Sequence, residues 1–283
     1  MLSPRDLARA IGVGESSVKR WVDEGRLASA RTSGGHRRIA KAEAVRFVRE
    51  LGLEVARPDL LGLHGEDDGE DRTPFAEAIE AALLAVDGNA VRRMIVSAFV
   101  SGTSVASLCD GPIRTVLHDL GESWEATPTG IGAEHHAVDA CLQALMEIRS
   151  LIVPPESGPL AIGGAVQSDP YILPSLMTSV VLAEAGYRTI NLGANIPARA
   201  LAATVSSQKP DLVWRSASIP LRGKALREDL MELLPASVGS AEMVIGGRGL
   251  PAFREPPGPG IHVLQSMDEL DGFARRRIAA RDV

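Results

Sequence analysis

The chain has 283 residues, 45% of them hydrophobic, which is enough for about two folded domains with buried cores. Its net charge of -6 is uneven, because residues 1–52 carry 11 Lys/Arg against 6 Asp/Glu and the remainder carries 19 against 30. Two cysteines are too few for a disulfide framework, and the sequence has neither a signal core nor an apolar run of the ~18 residues that span a bilayer. We expect a cytoplasmic protein, away from membranes, whose basic end suits a polyanion.

Residues 1–52 have the pattern of a winged helix-turn-helix. Ser3-Pro4 opens a first helix that runs to about Ile11, Gly12-Val-Gly14 forms the turn, and a second helix starts at Glu15. A third helix at Ala42–Leu51 completes the module. Outward side chains near the start of the second helix reach base edges in such modules. The predicted base-reading residues are Ser17, Lys19 and Arg20.

A basic hairpin, which we call the wing, lies between the second and third helices. Gly34-Gly35 supplies the positive φ of a tight turn, with Arg31 on one arm and His36, Arg37 and Arg38 on the other. Wing cations contact phosphates or the minor groove in such modules. The alternative interpretation is an ordinary surface hairpin with solvated charges.

Four segments together resemble the MerR-type DNA-binding domain, over nearly all of residues 2–52. The resemblance implies a dimer that binds palindromic promoter elements in double-stranded DNA. The segments are Leu7–Val13, Ser17–Trp21, Glu24–Leu27 and Gly34–Arg38.

The next two regions differ in composition. Residues 53–72 contain glycine and a run of acidic residues with little apolar periodicity, which predicts a flexible linker. Residues 73–155 contain at least four helical stretches, which predicts a four-helix bundle. Spacing alone leaves Trp124 as a core side chain of the bundle and Glu134-His135 as polar residues on a hydrated helix face.

The spacing of Trp124 and Glu134-His135 resembles the helical caps of cobalamin-dependent MerR-type regulators of the CarH and LitR kind. The resemblance implies that these three residues line a corrin, with His135 as a candidate metal ligand. It also implies a homo-oligomer, dimer or tetramer, that represses transcription in the dark and separates in light.

Residues 156–283 alternate between strands and helices, which predicts a doubly wound α/β domain with a parallel sheet. The predicted fold class is therefore multidomain, with a winged helix-turn-helix, a four-helix-bundle cap and this α/β domain. Ligands bind at the carboxyl ends of the strands in such sheets. Strands are predicted at Leu160–Val166, Thr189–Leu192, Leu212–Val213, Met243–Ile245 and Ile261–Leu264, and helices at Leu173–Ala185, Pro197–Ser207, Leu221–Leu234 and Met267–Arg281.

Three segments of this region, at Leu182–Pro197, Pro210–Val213 and Val244–Gly247, resemble a cobalamin-binding domain. Such domains carry an Asp-x-His-x-x-Gly signature whose histidine lies beneath cobalt. The aligned residues here run from Asp169 to Pro174, with Tyr171 in place of that histidine. By resemblance, the cofactor-binding residues are Asp169, Tyr171, Ser216, Ser218, Gly246 and Gly247.

Tyr171 changes the expected ligand chemistry. A phenol whose pKa is near ~10 is a poor ligand for cobalt compared with a neutral imidazole. Three alternatives stay open: cobalamin bound without a protein histidine and with its lower base retained, another tetrapyrrole such as haem or bilin, or no cofactor at all.

Taken together, the sequence predicts a DNA-binding transcriptional regulator, a repressor, whose C-terminal regions sense a tetrapyrrole-like ligand or light and control oligomerisation. One alternative is a ligand-independent MerR-type regulator whose C-terminal half binds an antirepressor protein. Another is a corrinoid-carrying methyltransferase component. We expect no enzymatic activity and no catalytic residues.

Overall fold

The computed structural model describes residues 1–61, 75–124, 128–220, 228–233, 241–250 and 258–281. Its contacts divide the chain into two compact units. The first comprises Met1–Ser104 and Gly111–Val153, and the second comprises Val105–Asp110 and Pro154–Val283. Residues 105–110, predicted as part of the helical cap, therefore group with the α/β domain.

The N-terminal module is a winged helix-turn-helix, as predicted. The Ser3 hydroxyl accepts a hydrogen bond from Asp6 N (3.1 Å) and the Asp6 carboxylate accepts one from Ser3 N (3.1 Å), a capping box that starts the first helix. Gly52, in the left-handed region, ends the third. The elements are α1 (Pro4–Ala10), α2 (Glu15–Asp23), β1 (Ala30–Arg31), β2 (Arg37–Arg38) and α3 (Lys41–Leu51).

The first residues of the predicted linker are structured. A 3₁₀ helix at Pro58–Leu61 packs on α1, Arg57 N donates to Ala10 O (3.0 Å), and Leu61 is buried. The prediction of a tether that begins at residue 53 was therefore wrong for residues 53–61, because Leu61 buries an apolar side chain that the composition argument passed over. Residues 62–72 of the predicted linker lie outside the described residues.

The predicted four-helix bundle is confirmed. Four of the next helices pack on one another, and the Asp87 side chain caps one of them by accepting from Ala90 N (2.9 Å). The helices are α4 (Phe75–Leu84), α5 (Gly88–Val100), α6 (Val105–Leu108), α7 (Arg114–Trp124) and α8 (Pro128–Leu151), of which the short α6 belongs to the second unit.

Helix α3 of the DNA-binding module packs against α5 and α8 of the bundle. Glu147 of α8 accepts from Lys41 Nζ (3.1 Å) and also pairs with Arg92. The Arg49 guanidinium lies 3.9 Å from the Phe99 ring centroid and donates to backbone carbonyls of α5 and the turn after it. The module is therefore attached to the bundle through partly buried charges.

The second unit is a five-stranded parallel sheet with strand order β4-β3-β5-β6-β7, flanked by helices. This order reverses between β3 and β5, which is the topological switch point where ligands bind in such folds. The elements are β3 (Leu160–Ala165), α9 (Leu173–Ala185), β4 (Arg188–Asn191), α10 (Ala198–Gln208), β5 (Leu212–Ser216), α11 (228–233), β6 (Glu242–Gly246), β7 (Ile261–Leu264) and α12 (Met267–Ala279).

The two faces of this sheet are filled differently. Aliphatic side chains, among them Ile162, Val213 and Ile245, form a core with α10 and α11 on one face. On the other face Trp214 packs toward α9. Within the described residues, no helix is both long enough and apolar enough to cross a membrane.

Candidate nucleic-acid interface and ligand site

Helix α2 and the wing form the candidate DNA interface. Val18 is fully buried and Trp21 packs on Phe47 with ring centroids 5.0 Å apart, so the opposite face of α2 is left to solvent. On that face Lys19 and Arg20 are exposed, and Ser17 is partly exposed. The structure thus places the three predicted base-reading residues on the outer side of α2.

The wing is a two-stranded hairpin in which Arg31 pairs with Arg37 and Ala30 with Arg38. Thr32 N donates to His36 O (2.9 Å), and of the two turn glycines only Gly35 has a positive φ, 77°. The four predicted wing cations are thereby held on a short, defined ribbon.

Only some of these cations lack an acidic partner. Lys19 lies 2.8 Å from Glu15, and Arg37 is held bidentately by Asp23 at the end of α2. Arg31, His36 and Arg38 have no carboxylate within ion-pair distance among the described residues. The charge available to an incoming phosphate therefore lies on the wing more than on α2.

A groove of about 400 Å³ runs between the start of α1, the start of α2 and the wing. It brings the wing cations together with Lys19 and with Arg5, a residue that the sequence interpretation missed because its α1 position gave no basic pattern. The groove is lined by Ser3, Pro4, Arg5, Glu15, Lys19, Arg31, Gly35, His36, Arg37 and Arg38.

The predicted cap residues lie on α7 and α8. Glu134 is partly buried and His135 is exposed, whereas His136 packs against Gly88 of α5. Trp124 is the last residue of α7, and its side chain lies outside the described part of the structure. No group of three or more His, Cys, Asp or Glu side chains is placed to hold a metal ion in the described ranges. The role of His135 as a metal ligand stays a prediction.

At the switch point of the second unit, Asp169 joins the loops that follow β3 and β5. It is fully buried, and its carboxylate accepts from Tyr171 N (3.0 Å) and from Ser218 N (2.5 Å). Asn195 N donates to the Asp169 carbonyl (2.9 Å), which adds the loop after β4. Asp169 therefore organises the backbone of the predicted ligand site, with both carboxylate oxygens already bonded.

Two hydroxyls at this edge have no partner. Ser216 Oγ and Ser218 Oγ are buried atoms without a hydrogen bond in the described structure, and Ser216 as a whole is 4% exposed. A buried hydroxyl without a partner costs about 1–3 kcal/mol. Both residues were predicted from sequence, and their unpaired hydroxyls suit a polar ligand at the carboxyl end of β5.

Gly246 and Gly247 end β6 beside the same loops. A Cβ at Gly247 would lie 2.2 Å from Ala217 O, and its φ of 117° already disfavours a side chain. The glycine is therefore required by the close approach of two backbone segments, which is a structural reason independent of any ligand.

Tyr171 does not provide the chemistry that a protein-ligated cobalt needs. Its side chain is 42% exposed at the start of α9, and it offers a phenol instead of an imidazole. The described switch-point residues thus fit a ligand that needs hydroxyl partners. They do not fit a corrinoid whose metal is held from below by the domain.

Comparison with known proteins agrees with the N-terminal geometry. Residues 1–51 match the family model described as a helix-turn-helix domain. These residues are a helix-turn-helix domain. This match covers the predicted DNA-binding module and confirms that part of the sequence interpretation.

Two longer similarities extend beyond this domain. The chain is 25% identical over 260 residues to the HTH-type transcriptional repressor CarA of Myxococcus xanthus, covering 87% of this chain and 86% of that protein. The fold also resembles the monomethylamine corrinoid protein of Methanosarcina barkeri, with a TM-score of 0.53, 16% identity, and coverage of 70% of this chain and 96% of that one. The chain therefore combines a helix-turn-helix domain with a region of corrinoid-protein fold.

Proposed function

We propose that the protein is a transcriptional repressor that binds operator DNA through α2 and the wing. The observation that carries the proposal is the groove beside Arg31, His36 and Arg38, whose charges lack acidic partners among the described residues. Similarity to a repressor over 87% of the chain supports the same function.

The binding species is proposed to be a homo-oligomer, a dimer or a tetramer. One small winged module contacts few base pairs, so its affinity alone is modest. Two modules on one duplex gain through effective concentration, and a signal that joins or separates protomers then changes operator occupancy.

The C-terminal region is proposed to be the sensor, with a binding role and no catalytic one. The unpartnered hydroxyls of Ser216 and Ser218 at the switch point favour a bound ligand. Its class is proposed to be a tetrapyrrole: a corrinoid that keeps its own lower base, or haem or bilin, through which light would act. An antirepressor protein bound to this region is the second candidate input, and the resemblance to CarH and LitR regulators supports the first.

The DNA-binding proposal is tested by the salt dependence of affinity. Arg31→Ala combined with Arg38→Ala removes two unpaired wing cations, so the slope of log K against log salt should decrease in magnitude by about 1.8. Between 50 and 200 mM salt the variant should then lose about 12-fold less affinity than the parent chain. A duplex of arbitrary sequence suffices, because phosphate contacts do not depend on sequence.

The matched control is Arg199→Ala combined with Arg276→Ala. Both arginines are exposed on helices of the second unit, and this variant changes the net charge equally. Its slope should equal that of the parent chain. An equal slope for the parent and the wing variant would refute the wing as a phosphate contact, and absence of any DNA affinity in the parent would refute the function.

A further inference from the structure

The interior of the α/β unit at the switch point is filled by two large side chains of β5. Trp214 and Arg215 are adjacent, so they point to opposite faces of the sheet. Trp214 is 1% exposed and Arg215 is 2% exposed. A ligand that approaches the carboxyl ends of β3 and β5 therefore meets a closed surface on both faces.

On the face that packs on α9, the indole of Trp214 lies directly over Gly163 of β3. A Cβ added to Gly163 would lie 2.2 Å from Trp214 Cδ2, so the ring uses all the space that the missing side chain leaves. Trp214 Nε1 donates to Ser175 Oγ (3.1 Å), which in turn donates to Asn191 Oδ1 (2.7 Å). This chain of hydrogen bonds fixes the indole to α9 and β4.

On the opposite face, the guanidinium of Arg215 fills the end of the sheet. It donates to Ala165 O (3.1 Å) and Ile196 O (3.1 Å), and its Nε donates to the Asp229 carboxylate (2.9 Å). Every group in this set has a partner, and Asp229 would be left with an unpaired buried charge if the arginine moved. The guanidinium therefore cannot move aside cheaply to admit a ligand.

This filling bears on the corrinoid considered above, and the inference rests on the proposed sensor function. A cobalamin whose lower base has been displaced from cobalt carries a long detached nucleotide, which the protein must accommodate. We infer that this α/β unit does not accept a detached nucleotide, so that a corrinoid bound here lies at the carboxyl edge with its own lower base on the metal. The exposed phenol of Tyr171 is consistent with this mode, because the protein then supplies no cobalt ligand.

The test uses the full chain with hydroxocobalamin and with aquocobinamide, which lacks the nucleotide. Displacement of the lower base changes the visible spectrum of a cobalamin, because cobalt loses a nitrogen ligand. We expect bound cobalamin to keep the spectrum of the base-on form. A base-off spectrum with the unmodified chain would overturn the inference. Binding of neither corrinoid would support the closed interior and overturn the corrinoid as the ligand of the proposed sensor.

Two variants separate the missing ligand from the missing space. Tyr171→His supplies an imidazole but leaves Trp214 in place, so it should keep the base-on spectrum. Combined with Trp214→Ala it should give the base-off spectrum, whereas the combination with Trp214→Phe, which keeps an aromatic ring, should not. A base-off spectrum for Tyr171→His alone would overturn the inference, and this single variant keeps the test valid if the Trp214 variants fail to fold.

Discussion

Asp23 at the end of α2 competes with DNA for Arg37. The Arg37 guanidinium pairs bidentately with the Asp23 carboxylate, whose side chain is 60% exposed, while that of Arg37 is 23% exposed. An ion pair of this exposure is worth about 0.2–1 kcal/mol. If Arg37 must leave Asp23 to reach a phosphate, Asp23→Asn should tighten DNA binding by about 1.4- to 5-fold.

The same substitution should steepen the salt dependence, because Arg37 would then release a counterion without first giving up a carboxylate partner. We expect the slope of log K against log salt to gain up to about 0.9 in magnitude, measured by fluorescence anisotropy on a labelled duplex. Glu54→Gln is the control, since Glu54 is an exposed carboxylate of the same module that lies away from the groove. Weaker binding by Asp23→Asn would refute the competition and show that Asp23 instead holds Arg37 in its DNA-facing position.

Three further predictions concern stability and reactivity. Glu147→Ala leaves two partly buried cations unpaired and should lower the free energy of unfolding of the first unit by about 1–3 kcal/mol, measured by urea titration. Burial raises the pKa of the Cys141 thiol to about 12, so iodoacetamide should modify it only after denaturation, as read by mass spectrometry. Hydrogen bonds from Ser3 lower the pKa of Asp6, so the stability they give is present above pH about 4 and lost as pH falls through the lowered pKa. Ser3→Ala should remove this acid sensitivity from the pH dependence of thermal unfolding.

The sequence predicted elements well where apolar periodicity is strong and both ends carry a turn signal. The bounds of α9 and β7 agree with the predictions to the residue, and α10 is shifted by one. The predicted end of β5 at Val213 was wrong, because the strand continues to Ser216. An arginine normally indicates exposure, and its partner Asp229 lies 14 residues further along the chain, where only the folded structure reveals the pairing.

The candidate sites show the same limit. Basic residues of the wing were visible in the sequence because they form a run around a glycine turn. Their ion pairs were not, since Asp23 looks like an ordinary solvated residue at a helix end and meets Arg37 only through tertiary packing. The closed interior at Trp214 was likewise hidden, because a tryptophan beside a glycine of another strand is a contact between distant segments.

Helix α3 gives the DNA-binding module a short physical connection to the helix bundle. Lys41 begins α3 three residues after Arg38, and its ammonium lies 3.1 Å from Glu147 of α8. Near the other end of α3, the Arg49 guanidinium stacks on Phe99 of α5. Closely packed helices shift between discrete arrangements and do not deform continuously. A movement of α8 that separates Lys41 from Glu147 therefore moves α3 together with the wing strand that precedes it, so the orientation of the wing cations depends on the state of the bundle.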